Sequence, residues 1–518
     1  RLGEFMKKLT VIMAFLAITF AVISCQSPQK LEERRKPASI DDLFTGVDKV
    51  LHEIPNDSIF NAQTCPTYIN SITDYLYALN SDYFVPRTPA EVANLKAKGR
   101  ELLKNIFQVR VILREKFQQF DERNELTNGC ILKVREGIQY ARITEEYLLE
   151  WLVHNKVIEE RTPIVLAADP DFTLVNPKFQ GFHLQTGDVM TIRGKSYVSA
   201  MIARIGDEEG NFSHLALVTE DSKGNQYIVE ALIQNGVIIT PLEKWRQAQD
   251  ARVALFRQRD PELAKRAGRM MYDYARTTLD KKGEIRYDFA MNDQDYSSFF
   301  CSEVATFAYD KASEGKFIVP KYRSSLTKFK NKDYPRSLGV TKTTLFAPYD
   351  IEADPRFDFV AEYKFYPLLR QVRMQDAVLQ SIYDWMIEKD YSFHFNALTA
   401  AKSYLGKFLR QFGMVKDVMP KYMPMQTVRT TAQFQAVATV LENNIYKKEA
   451  EYYKVHDYLP TFREFMAMND DYRKEDCKID QEYADSSNSI NRLNGEVRQP
   501  NRSQFQWFFY SDNGRSCD

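Results

Sequence analysis

Between residues 165 and 366 the apolar pattern of this chain changes period, and that change constrains the fold more than any other feature. On either side, hydrophobic positions recur every three or four residues over long stretches, as in helices with one buried face. Inside the block, short apolar and β-branched runs alternate with turns rich in Gly, Asn and Asp, as strands do. One pair of runs reads as a hairpin. Phe212-Ser213-His214-Leu215-Ala216-Leu217-Val218 leads through the polar turn 221–226 to Tyr227-Ile228-Val229-Glu230-Ala231-Leu232. Side chains alternate between the two faces of a strand, so His214 and Glu230 share a face only in registers of one parity. With Glu230 opposite Ala216, for example, it lies diagonal to His214 and within side-chain reach.

A second stretch supplies a nucleophile. In Asp295-Tyr296-Ser297-Ser298-Phe299-Phe300-Cys301-Ser302-Glu303-Val304, a cysteine stands where a turn becomes a helix. Phe300, Val304, Phe307 and Ala308 carry the helical period. A cap at Ser297 or Ser298 puts Cys301 in the first helical turn, where unpaired N–H groups and the helix dipole favour a thiolate. Cys301, His214 and Glu230 then make up the generalised triad of nucleophile, base and orienting carboxylate. Tyr287 and Tyr296 approach Cys301 in sequence. With Ser302 they are candidates for lining the pocket or the oxyanion site.

These residues carry a resemblance. Leu184-Gln185-Thr186-Gly187-Asp188-Val189 comes first, then Ser213-His214, then Val229-Glu230-Ala231 with Gly236-Val237 and Thr240-Pro241-Leu242. Tyr287-Asp288-Phe289 and Phe300-Cys301-Ser302-Glu303-Val304 close the series. In this order and spacing, roughly residues 175–365 resemble the permuted papain-fold hydrolases called YiiX/YaeF/YebB-like, relatives of the NlpC-type cell-wall amidases and of lecithin:retinol acyltransferases. Papain's cysteine precedes its histidine; in this family the order is histidine, carboxylate, cysteine, as here. The resemblance implies an α+β domain over 165–366, an antiparallel sheet with the cysteine helix packed on it. It also implies a cysteine hydrolase acting on an amide, with cell-wall peptides or amidated amino acids as the substrate class and no cofactor. A lipid acyltransferase or lipase of the same fold is the alternative. A further one is a scaffold lipoprotein whose papain-like core has been retired.

A chain of 518 residues exceeds one hydrophobic core, and helical flanks fill the remainder. Residues 40–162 read as a helical bundle, with a capping box and Pro at N1 in Thr88-Pro89-Ala90-Glu91. No helix breaker follows before Asp121. Residues 367–475 read as a second helical domain, including a helix from Phe395 to Phe412. From Asp476 to Asp518 apolar periodicity fades, which predicts a poorly ordered tail; its aromatic run, Phe505 to Tyr510, could dock on the body.

The start carries a targeting signal. Lys7-Lys8 and the apolar run Leu9–Ile23 form a signal peptide over 6–25, and Val22-Ile23-Ser24-Cys25 resembles a lipobox, with Cys25 as the lipidated residue. A polar linker, 26–39, would hold the folded part off the membrane. The expected location is the cell envelope, with the lipid as the membrane contact. Seventy Lys and Arg balance seventy Asp and Glu, so no global field favours nucleic acid as a partner. Besides Cys25 and Cys301, the cysteines are Cys65, Cys130, Cys477 and Cys517, which allow three pairings. No Cys/His spacing suggests zinc. Asp207-Glu208-Glu209 reads as a solvated turn, and His183, close to Gly187-Asp188, is the one other histidine near a motif.

Overall fold

The computed structural model describes residues 39–78, 88–161, 165–166, 169–292, 296–329, 333–394, 420, 422–489, 503–514 and 517. The expected signal peptide, Cys25, the linker up to residue 38 and the expected helix 395–412 lie outside the described residues.

Four helices open the described chain: α1 (Ile40–Glu53), α2 (Cys65–Ala78), α3 (Pro89–Glu122) and α4 (Asn128–His154). The start of α3 is closed reciprocally. Thr88 Oγ1 accepts the Glu91 N–H at 3.2 Å, and the Thr88 N–H donates to Glu91 Oε2 at 3.1 Å. Leu95, Leu102, Ile106, Val109, Leu113 and Phe117 form its buried stripe. The Cys65–Cys130 disulfide joins α2 to α4, and Cys477 pairs with Cys517.

The middle of the chain forms one antiparallel sheet of seven strands: β1 (Thr173–Val175), β2 (Val189–Arg193), β3 (His214–Glu220), β4 (Gln226–Leu232), β5 (Gly236–Pro241), β6 (Arg252–Gln258) and β7 (Phe357–Lys364). Their spatial order is β1-β7-β6-β2-β3-β4-β5. The three longer helices that accompany it are α5 (Tyr197–Arg204), α6 (Pro261–Lys282) and α7 (Glu303–Ala312). Both α6 and α7 pack against β3, and against each other. Gly187, at φ +95°, lets the turn before β2 approach α6 so closely that a Cβ there would lie 2.2 Å from the Ala264 carbonyl oxygen. The Tyr309 hydroxyl of α7 donates to the Gly187 carbonyl at 2.6 Å, tying the cysteine helix to that turn.

The ladders sort side chains onto two faces. Thr191 faces Ala254 and Leu215, and Arg193 faces Arg252, while Glu362 and Lys364 of β7 stand opposite Ala254 and Arg252. On this face lies a buried charge network. Arg110 of α3 donates to Glu145 of α4 at 2.8 Å and also to Glu362. Arg142 bonds Glu362 at 3.0 Å and Glu352; Arg252 meets Glu146 at 2.6 Å. The opposite face carries Ile192, Val253, His214, Ala216 and Glu230.

The last helices are α8 (Tyr366–Glu388), α9 (Met425–His456) and α10 (Phe462–Ser489). The described parts of the tail, 476–489 and 503–514, depart from the expected looseness. Helix α10 continues through Asp476 to Ser489, and residues 509–511 pair antiparallel with 391–393. Asp476 accepts the N–H groups of Gln504, Phe505 and Gln506, while Phe505 stacks on Trp385 with centroids 6.2 Å apart. A carboxylate capping three amides and a buried aromatic anchor hold a segment whose own sequence has no periodicity. Among the described residues, no helix is long and apolar enough to cross a membrane.

Candidate active site

The hairpin register decides the first contact. Ala216 is the partner of Glu230 across β3 and β4, so Glu230 sits diagonal to His214 on the same face. The imidazole Nε2 lies 2.7 Å from Glu230 Oε2. That bond commits Nε2 as donor to the carboxylate and leaves Nδ1 as the nitrogen facing the thiol. Burial depresses the His214 pKa, but its contacts with Cys301 and Glu230 and their charges outweigh burial and raise it to about 10. The ring is therefore held as imidazolium over the neutral range, although its side chain is still 18% exposed.

Cys301 comes to this pair from 87 residues beyond His214. It is the free cysteine among the described residues, and it is buried. Its local setting differs from the expected one. Ser298–Phe299 forms a short parallel bridge with Arg286–Tyr287, so Ser297 and Ser298 do not cap the helix. Helix α7 starts at Glu303 with Ser302 at its N-cap, which places Cys301 just ahead of the helix rather than in its first turn. The Phe300 N–H donates to Glu303 Oε2 at 2.8 Å, so Glu303 reaches back and fixes the turn that presents the sulfur. The cause is tertiary: the extended strand at 298–299 claims the residues that a local reading assigns to a cap.

The other candidates separate. Tyr287 stands at the cysteine; burial first, then Cys301 and the neighbouring acids, hold its hydroxyl well above the ordinary phenol range, so it remains a neutral donor. Ser302 Oγ lies 3.9 Å from Cys301 Sγ and is fully buried. Tyr296 does not line the cysteine cleft. Its ring packs edge-on to Phe307 at 4.9 Å, and it borders a separate hollow with Thr306, Asp310 and Arg323. His183 offers its carbonyl oxygen to Arg257, while Asp188 receives that guanidinium through both oxygens, at 2.8 and 2.7 Å. That motif fixes the sheet and does not reach the sulfur. Asp207 accepts from Thr327 and Lys328, Glu208 pairs with Arg135 and Glu209 with Arg204. No cluster of three or more potential metal ligands occurs among the described residues.

Two cavities meet at Cys301 and Tyr287. One is narrow and apolar, walled by Met201, Ile205, Phe289, Leu338 and Phe346. The other is an open cleft of about 630 Å³ containing His214, Glu230, Trp245 and Asp250. Its size suits a small-molecule or peptide ligand. Met423, just ahead of α9, and Val428 and Thr431 in its first turns close one side of it. The sequence reading missed both Asp250 and this wall. Asp250 sits in a polar turn that nothing local distinguishes from a solvated loop, and α9 is some two hundred residues from His214.

An imidazole and a carboxylate on adjacent antiparallel strands, with a cysteine ahead of a helix packed on the same sheet, form the arrangement of a papain-like cysteine hydrolase in permuted order. Residues 183–361, about a third of the chain, match the family model of the permuted papain-like amidase enzymes, YaeF/YiiX, C92 family. The domain is thus of the cysteine peptidase and amidase type. No curated protein and no solved structure matches the chain.

Proposed function

We propose that this chain is an envelope-anchored cysteine amidase in which Cys301, His214 and Glu230 act as nucleophile, base and orienting carboxylate. The observation that carries the reading is the imidazole of His214, fixed by Glu230 at 2.7 Å and lifted to about 10 by Glu230 and Cys301 against the pull of burial. The charged ring pairs with the sulfur as thiolate, and that thiolate attacks the amide carbonyl to form a tetrahedral oxyanion. His214 gives its proton to the leaving nitrogen, the C–N bond breaks, and a thioester with Cys301 remains. Water, deprotonated by the same ring, then attacks the thioester. The acid leaves, the sulfur departs as thiolate, and the ring keeps the proton taken from water, which restores the starting pair. The Cys301 N–H and the neutral Tyr287 hydroxyl are the donors assigned to the oxyanion, each worth about 3 kcal/mol where geometry is good.

Cell-wall peptides or related amides are the proposed substrates, and the lipid on Cys25 the proposed membrane contact; the leader sequence and the family resemblance support both. Iodoacetamide at about pH 6 tests the core of the reading. An activated thiol alkylates quickly there and an ordinary one does not. Slow alkylation of Cys301, together with unchanged hydrolysis in Cys301→Ala, would leave the scaffold reading in its place.

One observation favours a second reading. The apolar cavity at Cys301 suits a hydrocarbon acyl group, as a lipid acyltransferase or lipase of this fold requires. That reading predicts rates that climb with acyl length, whereas a peptide amidase prefers polar acyl groups.

A further inference from the structure

We propose that Asp250 is the amine-binding residue of the cleft, holding the ammonium group of a cationic amide substrate beside His214. This rests on the reading of Cys301 as the nucleophile and adds to it the charge of the substrate.

Asp250 shares the cleft with Cys301, His214 and Glu230. Among the described residues it has no hydrogen-bond or ion-pair partner. Its backbone position is nonetheless fixed. The adjacent Ala251 donates to the Arg193 carbonyl at 3.1 Å and accepts the Phe365 N–H at 2.9 Å, so the residue enters β6 from a clamped start. The acids of the opposite face, Glu145, Glu146, Glu362 and Asp376, all meet arginine or lysine. A recessed carboxylate left without a partner is costly to fold, and a charge-assisted bond to a ligand offsets that cost.

The charged groups that face Asp250 are His214, Glu230 and, at the exposed rim, Lys195. His214 does not serve as its partner, because Nε2 already donates to Glu230 and the other nitrogen faces Cys301. Burial pushes the Asp250 carboxyl up to about 6, so it is ionised at neutral pH. With the imidazolium and the thiolate cancelling, two carboxylates remain in the cleft against one rim lysine. The site therefore selects cations. Since Asp250 lies on the histidine side, where the leaving nitrogen is protonated, the ammonium belongs to the amine half of the amide. A basic amino acid or diamine acylated on one nitrogen fits.

Methanethiosulfonate reagents test this on the full chain without knowledge of the substrate. The sulfur of Cys301 attacks the reagent's sulfenyl sulfur, an S–S bond forms and methanesulfinate leaves, which mass spectrometry of the Cys301 peptide follows. The cationic aminoethyl, neutral methyl and anionic sulfonatoethyl reagents are compared at pH 7.5. Wild type should favour the cationic over the anionic reagent by roughly tenfold or more, and Asp250→Asn should cut that ratio by about tenfold. Asp250→Glu, which keeps the charge, should retain most of it. An unchanged ratio in Asp250→Asn overturns the assignment while leaving the nucleophile intact. If even the neutral reagent labels wild-type Cys301 no faster than a free thiol, the catalytic reading itself fails, and the subsite with it.

Discussion

The two faces of the seven-stranded sheet both carry buried charge and treat it in opposite ways. On the face turned to α3 and α4, Glu362 collects Arg110, Arg142 and Lys364, and Arg252 meets Glu146. Each of these carboxylates is answered within the protein. On the other face His214 and Glu230 answer each other, the His214 ring is left directed at a thiol, and Asp250 is answered by nothing among the described residues. The first face spends its electrostatics on holding the helices to the sheet. The second keeps an unfinished set of charges at a cavity, which is what catalysis and binding require. Buried charge alone therefore does not mark a site; its incomplete pairing does.

The contrast can be broken by substitution. Its largest expected effect is chemical: Cys301→Ala should lower kcat/KM on any amide the protein hydrolyses by 10⁴-fold or more, roughly, with the thermal unfolding midpoint little changed. Next comes the structural face. Glu362→Ala takes the shared carboxylate away from two buried arginines and a buried lysine, and about 3–5 kcal/mol of stability should disappear in urea titrations. A loss below about 1 kcal/mol would show that the network is less dry than its burial implies.

Glu230→Gln sharpens the comparison, because it removes a buried charge from the catalytic face. It should cost roughly 10²- to 10⁴-fold in kcat/KM but no more than about 1.5 kcal/mol of stability. Equal damage to stability from Glu230→Gln and Glu362→Ala would erase the distinction between the faces. The smallest effect is a shift in pH dependence. His214 is raised to about 10, by Cys301 and Glu230 working against burial, so its charged form adds stability that is complete below the unfolded value of about 6.5. That contribution is lost as pH rises toward 10. The alkaline limb of kcat/KM should fall near pH 10, and Glu230→Gln should move it down toward neutrality.

Much of this was legible beforehand because it is periodic. Alternation in the hairpin limited His214 and Glu230 to two outcomes, and the capping box at Thr88 marked the start of a 34-residue helix. The motif order of histidine, glutamate and cysteine carried the family. What escaped was non-periodic. Cys301 lies ahead of its helix because residues 298–299 are drawn into a bridge with 286–287. The aromatic tail docks because Asp476 and Trp385 receive it. Tyr296, near Cys301 in sequence, turns toward Phe307 instead.

The amino-acid order by itself determined where the long helices and the hairpin strands form and which three side chains are the candidates for the chemistry, since these follow from hydrophobic period and from residue type at fixed spacing. Tertiary structure alone decided the partners of each charge. Arg110 and Glu362 are 252 residues apart, and Asp250 takes its isolation from what surrounds it in space. Pairing depends on distance and on exclusion of water, and neither is written in local sequence.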